Sequence, residues 1–346
     1  MVWFPVILSH AYKITNTFIL QHLFLILLSI PFSFLLQKVS KVESKNKKTE
    51  SSISFIIPAY NEEDRLPIML DQTLEFLSKQ RNEISSLINT ILNLQKNTKD
   101  SSDMESKEQS FSFEIVIVDD GSTDKTADVV YKYATKTNQS ASSNVTNYIR
   151  LIQMRNNSGK GAAIREGMLR STSPLCLMVD ADGATDIYDL MKLLKEMITL
   201  LEKNKETTPP IPAIIIGSRA HLEKSSKAER TKLRNFLMHS FHFFVYHLCS
   251  KNVKDTQCGF KLFHRSAARQ LFSNLHLKRW AFDIEIITIA EQLKMPISEV
   301  GVNWKEVEGS KLATSKWALA TNSISMLRDM VFVRLCYALG VWVIKD

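Results

Sequence analysis

The chain lacks most of the patterns that announce common ligand sites. Its 346 residues hold four cysteines, Cys176, Cys249, Cys258 and Cys336, scattered without C-x-x-C spacing. That speaks against a disulfide framework or a zinc site and suits a reducing compartment. There is no Cys/His cluster and no RNA-binding aromatic signature. Lys and Arg number 44 against 36 Asp and Glu, a formal charge of +8. Such a modest excess suits a phosphate or an acidic membrane surface without demanding nucleic acid. No G-x-G-x-x-G follows the first expected strand, which disfavours a nicotinamide dehydrogenase. Gly159-Lys160-Gly161 invites a P-loop reading that fails. No glycine lies five residues before Gly159, and Gly161 stands where Ser or Thr is needed. His239, His242 and His247 share a helical pattern, but their spacing is not that of a metal site.

What is present is a globular composition, 45% hydrophobic and 23% charged, behind an apolar amino end. Residues 14–37 carry no full charge and have about the length, roughly 20 residues, that a membrane-spanning helix needs. A retained anchor is expected there, with a cleaved signal peptide as its rival. Lys38, Lys41, Lys45, Lys47 and Lys48 follow it, against Lys13 before it. The positive-inside rule then puts the bulk of the chain in the cytosol. The expected divisions are a short segment 1–13, the anchor 14–37, a basic linker 38–52, a catalytic domain 53–312 and a membrane-associated tail of amphipathic helices, 313–346. Polar, variable insertions are expected near 81–110 and 136–147, with Ile84, Leu87, Ile88, Ile91 and Leu92 able to extend a helix into the first.

Within the domain, β-prone runs at 53–57, 113–118, 149–154, 175–179 and 213–217 alternate with helical patterns. One helix carries Leu66, Leu70, Leu74 and Leu77. Others start near Asp124, run from Ala162 to Leu169, and carry Leu190, Leu193, Leu194, Met197 and Leu201. Such alternation implies an α/β fold with a mainly parallel sheet and helices on both faces. Residues 230–249 read as a long helix with a bulky aromatic stripe, either core or lipid-facing. Residues 330–344 are apolar but interrupted by Arg334, which fits an interfacial helix better than a second span.

Four of these strands end in polar clusters: Pro58 to Glu62, Asp119 to Asp124, Asn157 to Gly161, and Asp180-Ala181-Asp182-Gly183. Each alone is ordinary turn chemistry. Four in succession at the rim where α/β sheets bind ligands suggest a site. Asp180 and Asp182 stand two apart after a buried-strand pattern, so both could face one hard cation shared with substrate phosphates.

The series PAYNE, VDDGSTD, NSGKGAA and DADG resembles the inverting GT-A glycosyltransferases of family 2. The later blocks GSRAHLE (217–223), DTQCGFKLF (255–263), RWAFDIE (279–285) and NWKEVEGSK (303–311) are similar to those of its members that glucosylate a polyprenyl phosphate. The resemblance runs from about Ile53 to the end, outside the two insertions. It implies a GT-A Rossmann-like fold, UDP-glucose as donor, dolichyl phosphate as acceptor, and Mg²⁺ or Mn²⁺ on Asp180 and Asp182. Pro58, Tyr60, Glu62, Asp119, Asp120, Lys160, Asp180, Ala181, Asp182 and Lys261 would line the donor site. Arg219, Arg230 and Arg234 would receive the acceptor phosphate. Asp182, Arg219 and Asp283 would act in catalysis, Asp283 at the position where many members place a base. Related mannosyltransferases have a Gln that completes the metal shell; here Ala184 stands at that position. Other polyprenyl-phosphate transferases, including mannosyl ones, and a non-catalytic nucleotide-sugar-binding protein are the competing readings. The resemblance also implies the endoplasmic reticulum membrane, with the catalytic domain facing the cytosol.

Overall fold

The computed structural model describes residues 52–95, 111–139, 147–204, 212–222, 249–250, 253–307 and 316–345. The chain divides into units 1–48 and 49–346, and all described residues belong to the second. The expected anchor, almost all of the basic linker and the helix pattern at 230–248 lie outside them.

Among the described residues, seven strands form one sheet. They are β1 (Ser52–Ala59), β2 (Ser112–Asp119), β3 (Tyr148–Gln153), β4 (Leu175–Val179), β5 (Ile214–Ser218), β6 (Phe260–His264) and β7 (Ile297–Gly301). Their order is β3-β2-β1-β4-β6-β5-β7. The pairings β1–β2, β1–β4, β2–β3 and β5–β7 are parallel. β6 runs antiparallel to both of its neighbours. Because β6 alone is reversed, its first residues arrive at the rim where the other strands leave.

Period two in the strands decides which face each residue buries. Ile53, Phe55 and Ile57 of β1 join Ile115 and Ile117 of β2 and Leu175 and Leu177 of β4 on one face. Helices α1 (Leu66–Lys79), α2 (Arg81–Leu94), α3 (Thr126–Gln139) and α5 (Leu190–Lys203) cover that face. On the other face, Ile56, Cys176 and Met178 meet α4 (Lys160–Arg170), α6 (Arg265–Ser273) and α7 (Phe282–Gln292). Both faces are therefore dry, as a mostly parallel sheet requires. α4 begins two residues earlier than its apolar pattern suggests.

Two expectations need correction. The first half of the supposed insertion near 81–110 is helix α2, with Ile84, Ile88 and Ile91 fully buried. Its spacing of four and three supplies a core stripe among the polar residues, so the helix reading of these isoleucines holds over this half. The second concerns the tail, where an amphipathic helix was expected. Helix α8 (Lys316–Ala338) buries Met330, Val333 and Cys336 yet leaves Ile324, Val331 and Leu335 exposed. It is apolar on two sides, so it has no single apolar face. No helix among the described residues is long and apolar enough to cross a membrane. β6 and β7 escaped the sequence reading because β6 carries a buried lysine, Lys261, and β7 is half polar.

Ile88→Ala should lower stability by about 2–5 kcal/mol, as deletion of a closely packed aliphatic side chain does. Exposed Glu83→Ala should change it by less than about 0.5 kcal/mol. Urea unfolding of both variants checks the assignment, and equal effects would return α2 to the surface.

Candidate active site

The rim is a set of loops that cross-link one another. After β1, Asn61 takes a left-handed conformation, φ 52°, which asparagine tolerates better than most residues. Its backbone N–H donates to Ser122 Oγ (2.9 Å), and its side-chain oxygen accepts from the Thr123 N–H (2.7 Å). The Glu62 N–H donates to Thr126 Oγ1 (2.7 Å) and the Glu63 N–H to Asp124 Oδ2 (3.1 Å). The loops after β1 and β2 thus behave as one unit. Buried Glu62 grips Arg65 through both oxygens, at 2.7 and 2.8 Å, a two-pronged charge-assisted contact. Tyr60 stands about one-third exposed beside it. Pro58 follows the last β1–β4 pair, where β1 leaves the β4 ladder.

Asp119 and Asp120, both buried, divide their work. Asp119 Oδ1 accepts from the Ser122 N–H (2.9 Å). Asp120 spends both oxygens on the next loop, accepting from the N–H groups of Ser158 (2.7 Å) and Gly159 (2.8 Å). Burial pushes the Asp120 carboxyl up, and these two bonds offset it only in part. Of the two acids expected to touch the base or ribose, Asp120 is therefore the one that shapes the protein. Gly159, at φ 102°, carries the failed P-loop signature for a steric reason: a Cβ there would lie 2.5 Å from Lys278 O. At Gly161 a Cβ would meet Leu277 O and Phe282 Cβ at 2.7 Å. The Ala162 N–H donates to Lys278 O (3.0 Å). These glycines let the 277–282 loop sit directly on the start of α4.

Lys160, the first residue of α4, reaches Asp180 with Nζ 2.6 Å from Oδ1. Burial disfavours its charge, but Asp180, Asp283 and Asp182 outweigh that and raise its pKa. Asp182 accepts from the Ala184 N–H (3.0 Å). Burial, and then the neighbouring Asp180, hold the Asp182 carboxyl above its usual range. Two acids thus stand close together at the end of β4, with Ala181 buried between them. On the β6 side a Cβ on Gly259 would fall 2.0 Å from Asp180 Oδ2, so only glycine leaves room for that carboxylate. Among the described residues no third His, Cys, Asp or Glu joins the pair as a cation ligand.

Lys261 and Asp283 correct two expectations. Lys261 is fully buried, with Nζ donating to Asp283 Oδ1 and to Cys258 O, both at 2.6 Å. Its charge faces inward, not toward a donor diphosphate. Asp283 is 3% exposed, and burial raises its pKa against the pull of Lys261 and Lys160. It is a buried counter-ion, not a base open to an acceptor. Arg219 also has its fork engaged: Nε and Nη2 bind Asp255 at 2.8 and 2.9 Å. Burial works against the arginine charge, but Asp255 more than restores it. Burial likewise pushes Asp255 up, yet the hydrogen bonds and charge of Arg219 hold it below its usual value. The guanidinium lies 5.6 Å from the Trp304 ring centre. Trp304 is fixed in turn by its bridge to Thr185, and the Lys305 N–H donates to Ala184 O (2.9 Å).

The structure therefore gathers Tyr60, Glu62, Asp119, Asp120, Lys160, Asp180, Ala181, Asp182 and Arg219 at one rim, with Lys261 and Asp283 beneath it. Arg230 and Arg234 lie outside the described residues. Sequence reasoning missed Arg65, whose charge acts on Asp182, and Gly259. It also missed Trp280, half exposed with Lys160 Nζ 5.7 Å from its ring centre. The i,i+3 spacing of Glu62 and Arg65 was the only local signal for the first. The other two lie in the blocks DTQCGFKLF and RWAFDIE, which gave them no role of their own.

The sequence profile of "Glycosyl transferase family 2" matches residues 54–272, and the chain belongs to that family. It is 44% identical over 308 residues to a dolichyl-phosphate beta-glucosyltransferase of Dictyostelium discoideum, covering 89% of this chain and 81% of that protein. The human protein of the same name is 42% identical over 290 residues, covering 84% and 77%. Among solved structures, mannosyl-3-phosphoglycerate synthase from Rubrobacter xylanophilus aligns at a TM-score of 0.48 with 15% identity, covering 85% of this chain and 77% of that one.

Gly259→Ala should cut glycosyl transfer on the order of 100-fold, the scale of an ångström-sized misplacement in a site. The far-ultraviolet circular dichroism should stay unchanged; activity close to wild type would show that Asp180 needs no such space. Lys261→Met should cost about 3–5 kcal/mol by leaving Asp283 buried without its partner. The double variant Lys261→Met/Asp283→Leu should recover to within about 1 kcal/mol of wild type. Denaturant titration decides, and a silent Lys261→Met would mean that the pair carries no coupling.

Proposed function

We propose that this chain transfers glucose from UDP-glucose to dolichyl phosphate with inversion, giving dolichyl β-D-glucosyl phosphate for protein N-glycosylation. The observation that carries the reading is the Asp180–Asp182 pair, held at the sheet rim between Lys160 and Gly259 in a chain 42–44% identical to dolichyl-phosphate beta-glucosyltransferases.

The donor's nucleotide would lie over the cross-linked loops after β1 and β2, against Pro58, Tyr60, Glu62 and Asp119. Its diphosphate would point to Lys160 and the acid pair. Two hard carboxylates with raised local negative charge fit a divalent cation whose remaining ligands are diphosphate oxygens and water. Asp180 and Asp182 would hold Mg²⁺ or Mn²⁺, which when bound neutralises charge on the leaving diphosphate.

The acceptor phosphate oxygen forms a bond to the anomeric carbon from the face opposite the diphosphate. The bond from that carbon to the diphosphate oxygen breaks, and its electron pair leaves with UDP. Dolichyl phosphate is already anionic, so no proton need be removed, which agrees with Asp283 being occupied by Lys261. Asp283 then acts as a positioning residue beneath Lys160. With Nε and Nη2 on Asp255, Arg219 offers the phosphate its remaining Nη1 edge. Lys160 offsets the repulsion between donor and acceptor anions, a fixed charge that costs no reorganisation during reaction. The lysine-rich stretch after residue 37 supports a site facing the cytosol, and the family resemblance supports the endoplasmic reticulum membrane. In that orientation the sequons at Asn138, Asn144 and Asn156 stay unmodified.

Full-length protein given dolichyl phosphate and radiolabelled UDP-glucose or GDP-mannose should label lipid from UDP-glucose alone. Chelation should abolish labelling, and Mg²⁺ or Mn²⁺ should restore it. Asp182→Asn should reduce turnover by on the order of 100-fold or more, the scale of losing stabilisation at the developing charge. Transfer from GDP-mannose instead would sink the sugar assignment, and normal turnover of the variant would sink the acid pair.

A further inference from the structure

The acid pair at the end of β4 already faces a cation, and that cation belongs to the chain. Lys160 Nζ stands 2.6 Å from Asp180 Oδ1. The oxygen is enclosed and, among the described residues, has no hydrogen-bond partner. The ammonium therefore holds it by charge. An enclosed carboxylate oxygen without a hydrogen bond is unfavourable and calls for an explanation, an ion among them. On its other side the carboxylate is hemmed in at Gly259, where a Cβ would lie 2.0 Å from Oδ2. Asp180 thus has little room to turn toward another partner.

Neighbouring cations are committed elsewhere. Arg65 grips Glu62 through two bonds, and Arg219 grips Asp255 through two. Buried Lys261 donates to Asp283 and to Cys258 O. Lys160 is built differently. It leaves the first residue of α4 on a flexible four-carbon stem. The ring centre of half-exposed Trp280 lies 5.7 Å from its ammonium. An aromatic face attracts an ammonium, with less force than a carboxylate does. The head group can therefore leave Asp180 without being stranded.

A divalent ion on Asp180 and Asp182 would need the oxygen that Lys160 now faces. Metal and ammonium repel each other at such range, so they cannot share it. A nucleoside diphosphate changes the balance, because it brings anionic oxygens that lysine binds as a point charge.

We propose that Lys160 is an exchangeable stand-in for the metal. It occupies Asp180 in the unloaded site and passes to the donor diphosphate when the divalent ion enters. The exchange rests on the donor reading of this site and is complete before transfer begins. Its consequence is coupled loading. Bare metal must displace a cation that has no new anion to meet, whereas metal arriving with nucleotide does not, and by linkage each tightens the other.

Full-length protein is titrated with Mn²⁺, with and without UDP, and binding is read from loss of the free-ion signal in electron paramagnetic resonance. Lys160→Met should bind Mn²⁺ alone at least about tenfold more tightly than wild type, the scale of a unit charge removed from beside a divalent ion. In saturating Mn²⁺ it should bind UDP at least about tenfold more weakly, the scale of one charge-assisted contact. Lys160→Arg should keep the weak affinity for Mn²⁺ alone, because the charge remains. A variant that merely loosened the fold would weaken both ligands, so the opposite signs are the signature. Mn²⁺ affinity that does not rise in Lys160→Met overturns the exchange. So does unchanged UDP affinity, which would make Lys160 a fixed countercharge. Wild type that shows the coupling but transfers no glucose would sink the function and leave the exchange standing. Wild type that takes no Mn²⁺ even with UDP would overturn both.

Discussion

Everything at the rim answers to one electrostatic constraint: Asp180 and Asp182 must stand near each other without driving the site apart. Burial first, and then the charge of neighbouring Asp180, hold the Asp182 carboxyl above its usual range. Lys160 supplies the standing countercharge at 2.6 Å, and the field of Arg65 reaches Asp182. Lys160 is in turn held protonated by three acids, including Asp283 beneath it. In the proposed reaction a metal-bound nucleotide sugar would bring both negative phosphates and positive charge to this arrangement.

The reversed strand β6 makes this balance possible. Were it parallel to its neighbours, its first residues would lie at the opposite rim. Reversed, it brings Gly259 against Asp180 and puts Lys261 two residues further down, opposite Met178. From there Lys261 can neutralise Asp283 inside the core. A buried ion pair contributes little net stability, because desolvation offsets most of the attraction. Its consequence here is positional, since it fixes a negative charge under Lys160 and leaves no room for Asp283 to turn toward solvent.

A second tier of contacts joins chemistry to surface. Asp120 holds the loop that begins α4, two glycines let the 277–282 loop rest on it, and that loop meets α8 from below. The first joint is a carboxylate on two backbone N–H groups, the second a contact too close for a side chain, and the third aliphatic packing.

Much of this was legible in the residues. The alternating runs gave the parallel strands through β5, because period and length report burial directly. DADG alone is ordinary turn chemistry, and it points to a site only as one of four polar clusters at the same rim. At α2 the spacing of Ile84, Ile88 and Ile91 allowed a helix while the polar composition argued for an insertion, and spacing won; motif position misled at Lys261 and Asp283. Local spacing fixes what a residue is next to along the chain and which face it takes. Direction of a strand, and so whether Lys261 meets a phosphate or an aspartate, depends on partners far apart in sequence. Only the folded sheet decides that, because the energy of a charge is set by what surrounds it and not by its place in the chain.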